Sequence, residues 1–420
     1  MIGRCRAAIA LSAVVILLLV AHDAALAQAV VETGYAACES TAKAGDEPAA
    51  FQACDAAIKS GTLTNGQLAR ALTYQSLADP EFAEQPFDRL DHAAALDPGF
   101  ADTYAARGRL HLIRAEYDAA IQDLDHALRL DPKDAAALRD RGQAKAKLGD
   151  GNAALQDLDL ALVLDPDLPD ANLDRGFLYL MLGDDVHAVA DLSRAAALQP
   201  EDGTITDGLG TAYLMGGDDE RAIASYDRAI ALDPDLTDAY RGRASLEAAR
   251  GNVATALAGL DLAIRRKPAE AMNHRSKGYI LFGAGSYADA ANALRDALAL
   301  DPSDAYGVIL LDLAQRRADP SGAVDTEVRA QRLDLGQWPG PVVNFLMGRT
   351  SRAELLAAAA NPDARIVHER ECEATFYIAE ADLIAGRSDA AKAGLRRAAD
   401  TCPRGFDEHL AAKAELARMP

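Results

Sequence analysis

Residues 101–134 read ADTYAARGRLHLIRAEYDAAIQDLDHALRLDPKD, and the rest of the chain is interpreted from this stretch. Small residues stand at its eighth, twentieth and twenty-seventh positions, and a proline stands at its thirty-second. These residues are Gly108, Ala120, Ala127 and Pro132. The same pattern returns in steps of 34 residues, without an insertion, until Pro302. A fixed period of this length predicts a repeated structural unit.

Each unit is predicted to be a helical hairpin. A proline disfavours helical conformation in the residue before it, so pairs such as Asp131-Pro132 end the second helix. The small residues fit positions where the two helices of a hairpin cross closely. The period and these residues resemble the tetratricopeptide family. The resemblance implies an all-α fold, a right-handed α-solenoid of antiparallel hairpins, which usually binds other proteins. The amphipathic residues 406–418 predict a capping helix at its end.

Arginine precedes the packing glycine in three repeats. These arginines are Arg107, Arg141 and Arg175. We expect each guanidinium to bridge to aspartates on neighbouring helices.

The first 27 residues predict a signal peptide. Arg4 and Arg6 precede an apolar run of about 15 residues, and Ala25-Leu26-Ala27 offers a signal-peptidase site. The run is shorter than the ~20 residues of a spanning helix. We therefore expect export across the inner membrane to the periplasm, without a stable membrane anchor after cleavage. Retention of the leader as an N-terminal anchor is the alternative that the sequence leaves open.

The net charge argues against nucleic acids and anionic membranes as partners. The chain carries a net charge of −21, and removal of the leader, with two arginines and one aspartate, takes it to −22. Nucleic acids and anionic membrane surfaces are bound by clustered Lys and Arg, so neither is an expected partner. An acidic surface favours solubility and basic segments on a partner.

The cysteines predict two disulfides. Cys38 and Cys54 lie at equal distances from a turn centred on residue 46, and Cys372 and Cys402 lie so about residue 387. Residues equidistant from the turn of an antiparallel hairpin lie side by side, at a separation that a disulfide can bridge. The predicted pairs are therefore Cys38–Cys54 and Cys372–Cys402. Four buried free thiols are the alternative.

The domain organisation follows from where the period holds. After the leader, residues 28–302 form the repeat array, with degenerate hairpins at 33–98 and regular repeats at 101–302. Residues 303–366 predict an irregular helical segment. Residues 367–420 predict a final disulfide-stapled repeat and the capping helix.

A partner is expected on the inner face, which the first helix of each hairpin forms. At positions two, five, nine, twelve and thirteen of the repeats, apolar and basic side chains form a candidate groove for an adaptable peptide or helix. Its residues are Arg139, Lys147, Phe177, Leu180, Met181, Leu214, Met215, Tyr279 and Phe282. Half-burial of these side chains between repeats is the alternative reading. A carrier or sensor of a small apolar ligand in the groove around Phe177, Met181 and Met215 is the alternative function.

The C-terminal region resembles a second, narrower family, the new lipoprotein I family. The resemblance rests on Trp338, on residues 342–348 (VVNFLMG) and on residues 372–380 (CEATFYIAE). That family consists of outer-membrane lipoproteins which present substrates to a periplasmic protease and gather murein hydrolases. The resemblance implies an adaptor in the cell envelope with such partners. Trp338 itself is predicted to be a core plug between repeats, and a homodimer is left open.

Catalysis is not expected. The sequence contains no HxxxH, GxSxG, P-loop or GxGxxG motif, and no Cys/His cluster of a metal site. Its many aspartates, such as Asp123 and Asp157, would need a pocket that separates their pKa values before they could act as acid and base. The prediction is a non-enzymatic scaffold without a cofactor or metal.

Overall fold

The structure is a computed structural model that describes residues 34–79, 87–319, 326–404 and 406–419. The predicted leader, residues 1–27, lies outside these ranges. The described residues form helices and contain no strand. The helices are α1 (34–43), α2 (Glu47–Lys59), α3 (Asn65–Leu77), α4 (Phe87–Leu96), α5 (Ala101–Ile113), α6 (Tyr117–Leu130), α7 (Ala135–Lys147), α8 (Gly151–Leu164), α9 (Pro169–Leu182), α10 (Asp185–Leu198), α11 (Gly203–Met215), α12 (Asp219–Leu232), α13 (Thr237–Ala249), α14 (Val253–Arg266), α15 (Ala271–Gly283), α16 (Tyr287–Leu300), α17 (Ala305–Ala318), α18 (Thr326–Ala330), α19 (Gly340–Leu346), α20 (Arg352–Ala358), α21 (Ala364–Ile384), α22 (Ser388–Thr401) and α23 (Asp407–Arg418).

The chain divides into two compact units, with the boundary between Leu178 and Tyr179, inside α9. Within the first unit, α5 pairs with α6 and α7 pairs with α8. Within the second, α11 pairs with α12, α13 with α14, α15 with α16, and α21 with α22. The predicted all-α array of helical hairpins is confirmed.

The small residues of the repeat lie where two helices approach most closely. Ala120 and Ala127 on α6 are fully buried. A Cβ atom added to Gly108 on α5 would lie 2.7 Å from Cγ of Leu124 on α6. No side chain fits in that space, so the glycine sets the spacing of the hairpin.

Ion pairs join successive hairpins, as the Arg-Gly pairs predict. Arg141 on α7 donates to Asp125 on α6 at 2.6 Å and to both oxygens of Asp157 on α8, at 2.6 and 2.9 Å. Arg107 bridges Asp91 and Asp123 in the same way. Asp123 and Asp157 are therefore buried partners of an arginine, as the expected bridges require.

The two predicted cysteine pairs lie at bonding distance. Cys38 and Cys54 are joined, with their Cα atoms 4.5 Å apart, and link α1 to α2. Cys372 on α21 is joined to Cys402, which follows α22, with a Cα separation of 5.2 Å. Both pairs connect the two helices of one hairpin, as the mirror positions about the turns require.

The C-terminal helices share one hydrophobic core. This core extends from α15 and α16 to α22 and α23, and includes Val342 and Val343 on the short helix α19. Trp338 packs against it half-buried, and its indole Nε1 donates to Glu373 on α21 at 2.8 Å. The side chain therefore contributes to packing, in line with the predicted core plug. Among the residues that the structure describes, no helix is long and apolar enough to cross a membrane.

Candidate interaction surface on the inner face

An open groove lies on the inner face of the first unit, between α5, α6 and α7. It encloses about 410 Å³. Its walls combine aliphatic, aromatic and charged side chains, namely Arg109, Leu112, Ile113, Tyr117, Arg139, Asp140, Gln143 and Lys147. Ile113, the last residue of α5, is 54% exposed, and Lys147 at the end of α7 is exposed as well. The groove therefore exposes to solvent an aliphatic side chain and a cationic one.

Arg139 lines the groove, and carboxylates bind its guanidinium. Its Nε donates to Asp174 on α9, and its Nη1 donates to Asp140 at 3.0 Å. Asp140 is almost fully buried and also accepts from Nε of Arg109 at 2.8 Å. Because these carboxylates occupy its guanidinium, Arg139 joins α7 to α9 within the first unit. Of the two predicted basic groove residues, Lys147 is the one that faces solvent.

The apolar residues that were predicted to line the groove around Phe177 are only partly exposed. Phe177, in the first unit, is half-buried. In the second unit Met181 is 61% exposed, whereas Leu180, Leu214 and Met215 are half-buried. Half-burial of first-helix side chains agrees with the alternative reading of this pattern. Met181 remains the member of the set that a partner could reach directly.

Two predicted groove residues are not on an open surface. Tyr279 and Phe282 on α15 are buried in the C-terminal core. The reason is α23, which packs against α13 and α15 in addition to α21 and α22. Its alanines, such as Ala414, face the inner side of α15 near Gly283. The C-terminal helix therefore covers the inner face at α13 and α15, where the sequence analysis expected a partner.

Buried carboxylates on α21 and α23 hold the C-terminal helix in place. Glu415 on α23 accepts from Tyr287 on α16 at 3.1 Å and from Arg317 on α17 at 3.2 Å. At the C-terminal end of α23, Arg418 donates to the backbone carbonyl of Gly283. Helix α23 is thus tied to α15, α16 and α17 by polar contacts that no repeat position encodes.

Burial changes the protonation of this cluster. Burial, together with the neighbouring charge of Glu373, raises the pKa of Glu408 on the first turn of α23 to about 8. Glu408 accepts a hydrogen bond from Tyr377 at 2.6 Å. These groups serve packing, since desolvation favours the neutral carboxyl over the charged one. Among the described residues, no group of His, Cys, Asp and Glu is placed to hold a metal ion.

Sequence reasoning missed the docking of α23 for a physical reason. Its inward side carries alanines and carboxylates, a pattern that is typical of an exposed helix face. Glu408 and Glu415, which lie seven residues apart and so fall on one side of a helix, suggest a solvent-exposed face in the sequence alone.

Family models match much of the repeat array. The tetratricopeptide repeat model matches residues 105–169 and 241–305, and a TPR repeat model matches residues 210–251. Tetratricopeptide arrays in general present extended concave surfaces on which other proteins bind.

Solved structures of other proteins are similar to parts of the chain. The chain is similar to the APC/C hetero-tetramer Cut9-Hcn1 with a TM-score of 0.52 and 16% identity, covering 69% of this chain and 55% of that one. A tetratricopeptide repeat protein from Parabacteroides merdae has a TM-score of 0.48 and 21% identity, over 59% of this chain and 99% of its own. YrrB, described as a TPR protein with an unusual peptide-binding site, has a TM-score of 0.38 and 23% identity. The match covers 43% of this chain and 92% of YrrB. The matched segments and the hairpins that they form identify tetratricopeptide repeats in this chain.

Proposed function

We propose that this protein is an exported scaffold of the bacterial cell envelope, which binds a partner protein on the inner face of α5 and α7. Binding would hold two proteins together and raise their effective concentration, without chemistry by the scaffold itself. The proposed consequence is presentation of substrates to a periplasmic protease or the organisation of cell-wall enzymes.

The exposed Ile113 beside Lys147 is the observation that carries this proposal. An aliphatic side chain left 54% exposed at the mouth of a groove is a place where a partner can remove apolar surface from water. A cation next to it selects a partner carboxylate and disfavours a basic group. We therefore propose a partner segment with an apolar anchor and an acidic residue close to it.

The envelope location rests on independent sequence features. Residues 1–27 have the organisation of a signal peptide, and disulfides such as the two cysteine pairs persist in oxidising compartments. The resemblance of the C-terminal region to the new lipoprotein I family supports a protease or a murein hydrolase as the class of partner.

Site-specific photocrosslinking tests the proposal. A photoreactive amino acid at Ile113 should capture a discrete partner in intact cells, and Lys147→Glu should weaken that capture. The matched control places the same amino acid at Val163 on α8, which is 76% exposed but lies on a second helix. The same products from both positions, or none from Ile113, would overturn the assignment of this face. Release of the mature chain with the periplasmic fraction tests the location separately.

A further inference from the structure

Two carboxyl groups meet where α23 packs against α21. Glu408, on the first turn of α23, is 5% exposed, and Glu373 on α21 is 6% exposed. The charge of each raises the pKa of the other or of its hydrogen-bond partner, so the two carboxyl groups are close neighbours. Two like charges buried side by side are costly, because neither is solvated by water and each repels the other.

The side chains that donate to this pair are uncharged. Glu373 accepts from the indole Nε1 of Trp338 at 2.8 Å and from the hydroxyl of Tyr306 at 2.9 Å. Glu408 accepts from the hydroxyl of Tyr377 at 2.6 Å. None of these donors offsets a negative charge in the way that an arginine in contact would. Burial of both carboxyl groups therefore favours a state in which the pair holds a proton.

The charged groups around the pair do not replace that proton. Besides Tyr306 and Tyr377, the titratable groups that face it are Arg275 and Tyr279 on α15, Glu369 and Arg370 on α21, and Asp407 on α23. The two cations have contacts of their own, since Arg275 donates to Asp304 at 2.9 Å and Arg370 lies over the ring of Trp338. Burial and the charge of Glu373 raise the pKa of Glu408 to about 8, and burial raises the pKa of Glu373 as well.

The other end of α23 is held by cations. Glu415 accepts from Arg317 on α17 and pairs with Arg418 of its own helix. The two ends of α23 therefore differ, because arginines offset the buried charge of Glu415 whereas Glu408 depends on a proton. Since α23 is the last helix that the structure describes, it can leave its site without rerouting the helices before it. A helix of 12 residues is marginal in water by itself, so a released α23 loses its helical hydrogen bonds.

We propose that α23 is a proton-held latch on the inner face of the second unit: a proton on the Glu373–Glu408 pair keeps the helix docked, and loss of that proton releases it. Release uncovers the inner side of α15, where Tyr279 and Phe282 hold repeat positions of a groove. The docked helix binds the proton more tightly than the released one, so docking weakens as pH rises from 4.5, the ordinary pKa of a glutamate, to about 8. The latch belongs to the second unit and does not depend on the groove between α5 and α7.

Hydrogen exchange of backbone amides in α23 and α16, measured from pH 5 to pH 8, tests the latch. After correction for intrinsic exchange, the amides of α23 are expected to lose protection by up to about tenfold per pH unit, the limit for one proton. Those of α16 should lose less, because release of α23 leaves that helix folded.

Two variants identify the group that titrates. Glu408→Gln is neutral at every pH and keeps an acceptor for Tyr377, so it should remove most of the pH-dependent loss in α23. Glu371→Gln, on the exposed side of α21, should behave as the wild type does. Equal losses in α23 and α16 would indicate global unfolding and overturn the latch. The same loss in Glu408→Gln as in the wild type would overturn it too.

A crosslink tests whether the loss requires α23 to leave α15. A Cβ atom at Gly283 would lie 4.0 Å from Cβ of Ala414 on α23, a separation that a disulfide spans. The oxidised double variant Gly283→Cys with Ala414→Cys should keep α23 protected at pH 8, whereas Ala414→Cys alone should lose protection as the wild type does. Loss of protection in the fully crosslinked protein would exclude release as the cause. Should the double variant misfold, the comparison with Glu408→Gln decides alone.

Discussion

Arg317 on α17 donates through Nη1 to Oε2 of Glu380 on α21 at 2.8 Å, and the carboxylate is fully buried. The same guanidinium donates to Glu415 on α23. Arg317 therefore contacts two buried carboxylates from different helices, and Arg418 pairs with Glu415 as well. Burial and the neighbouring Glu415 raise the pKa of Glu380 to about 8, even with Arg317 in contact. The attachment of α23 thus depends on Arg317 and Arg418 and on the protonation of Glu380.

Replacement of this arginine is expected to be costly. Arg317→Ala removes the ion-pair partner of the buried Glu380 and leaves Glu415 with Arg418 alone, and breaking a buried ion pair on one side costs about 3–5 kcal/mol. We expect a lower urea midpoint and a larger loss at pH 8 than at pH 5, because protonation relieves the unpaired carboxylate of Glu380 at low pH. The matched control is Arg221→Ala. Arg221 pairs with Asp218 on an exposed surface, where solvent screens the pair, so its loss should barely change the urea midpoint. Equal effects of the two variants would contradict this account.

The pKa of Glu408 predicts a stability that falls as pH rises. Its folded-state pKa of about 8 lies above the ordinary value of 4.5, so the fold favours the neutral carboxyl. The contribution is fully present below pH 4.5 and is lost as pH approaches 8, by at most about 1.4 kcal/mol per pH unit.

Glu408→Gln makes the neutral state permanent and keeps an acceptor for Tyr377. Urea midpoints measured from pH 4.5 to 8.5 should therefore fall less steeply for this variant, which should be the more stable protein at the upper end. Glu371→Gln, on the exposed side of α21, should reproduce the wild-type slope. A parallel shift of the whole curve for Glu408→Gln would argue against the assignment.

Replacement by alanine is expected to change stability in opposite directions at two helical glycines. A Cβ atom on Gly278 of α15 would lie 2.6 Å from Cγ of the buried Leu294, so Gly278→Ala should overpack the hairpin and cost about 1–3 kcal/mol. Gly259 in α14 has no atom within 4 Å of such a Cβ, so Gly259→Ala should stabilise by about 0.5–1 kcal/mol. Thermal melts of the pair provide the measurement. Destabilisation by both would show that the repeat glycines do more than provide space.

The regular repeats could be predicted from sequence because their constraint is local and periodic. Ala120 and Ala127 must be small wherever two helices cross, and the requirement returns in each repeat. The same holds for the arginine bridges, since a fixed sequence offset becomes a fixed distance between successive hairpins.

The covered part of the inner face could not be predicted, because it depends on a contact between distant segments. Tyr279 has the repeat position of a groove residue, and only the placement of α23 buries it. Glu408 and Glu415 suggest a solvent face until their partners Tyr377 and Arg317 are known. The pattern of a single sequence does not show which distant segments pack against each other.

The terminal disulfides predict an asymmetric dependence on redox conditions. The Cys372–Cys402 bond spans 30 residues and the Cys38–Cys54 bond spans 16, so chain entropy favours a somewhat larger contribution from the former, at about 3 kcal/mol each. Cys372→Ser with Cys402→Ser should lower the melting temperature of the C-terminal core, whereas Cys38→Ser with Cys54→Ser should affect the first hairpin and leave α23 docked. Hydrogen exchange of backbone amides measures the effect on the N-terminal hairpin and on the C-terminal core separately. A reductant should lower the stability of the wild type. It should not change the stability of a variant in which all four of these cysteines are replaced by serine. Ready alkylation of these cysteines in the unreduced, denatured protein would establish free thiols instead.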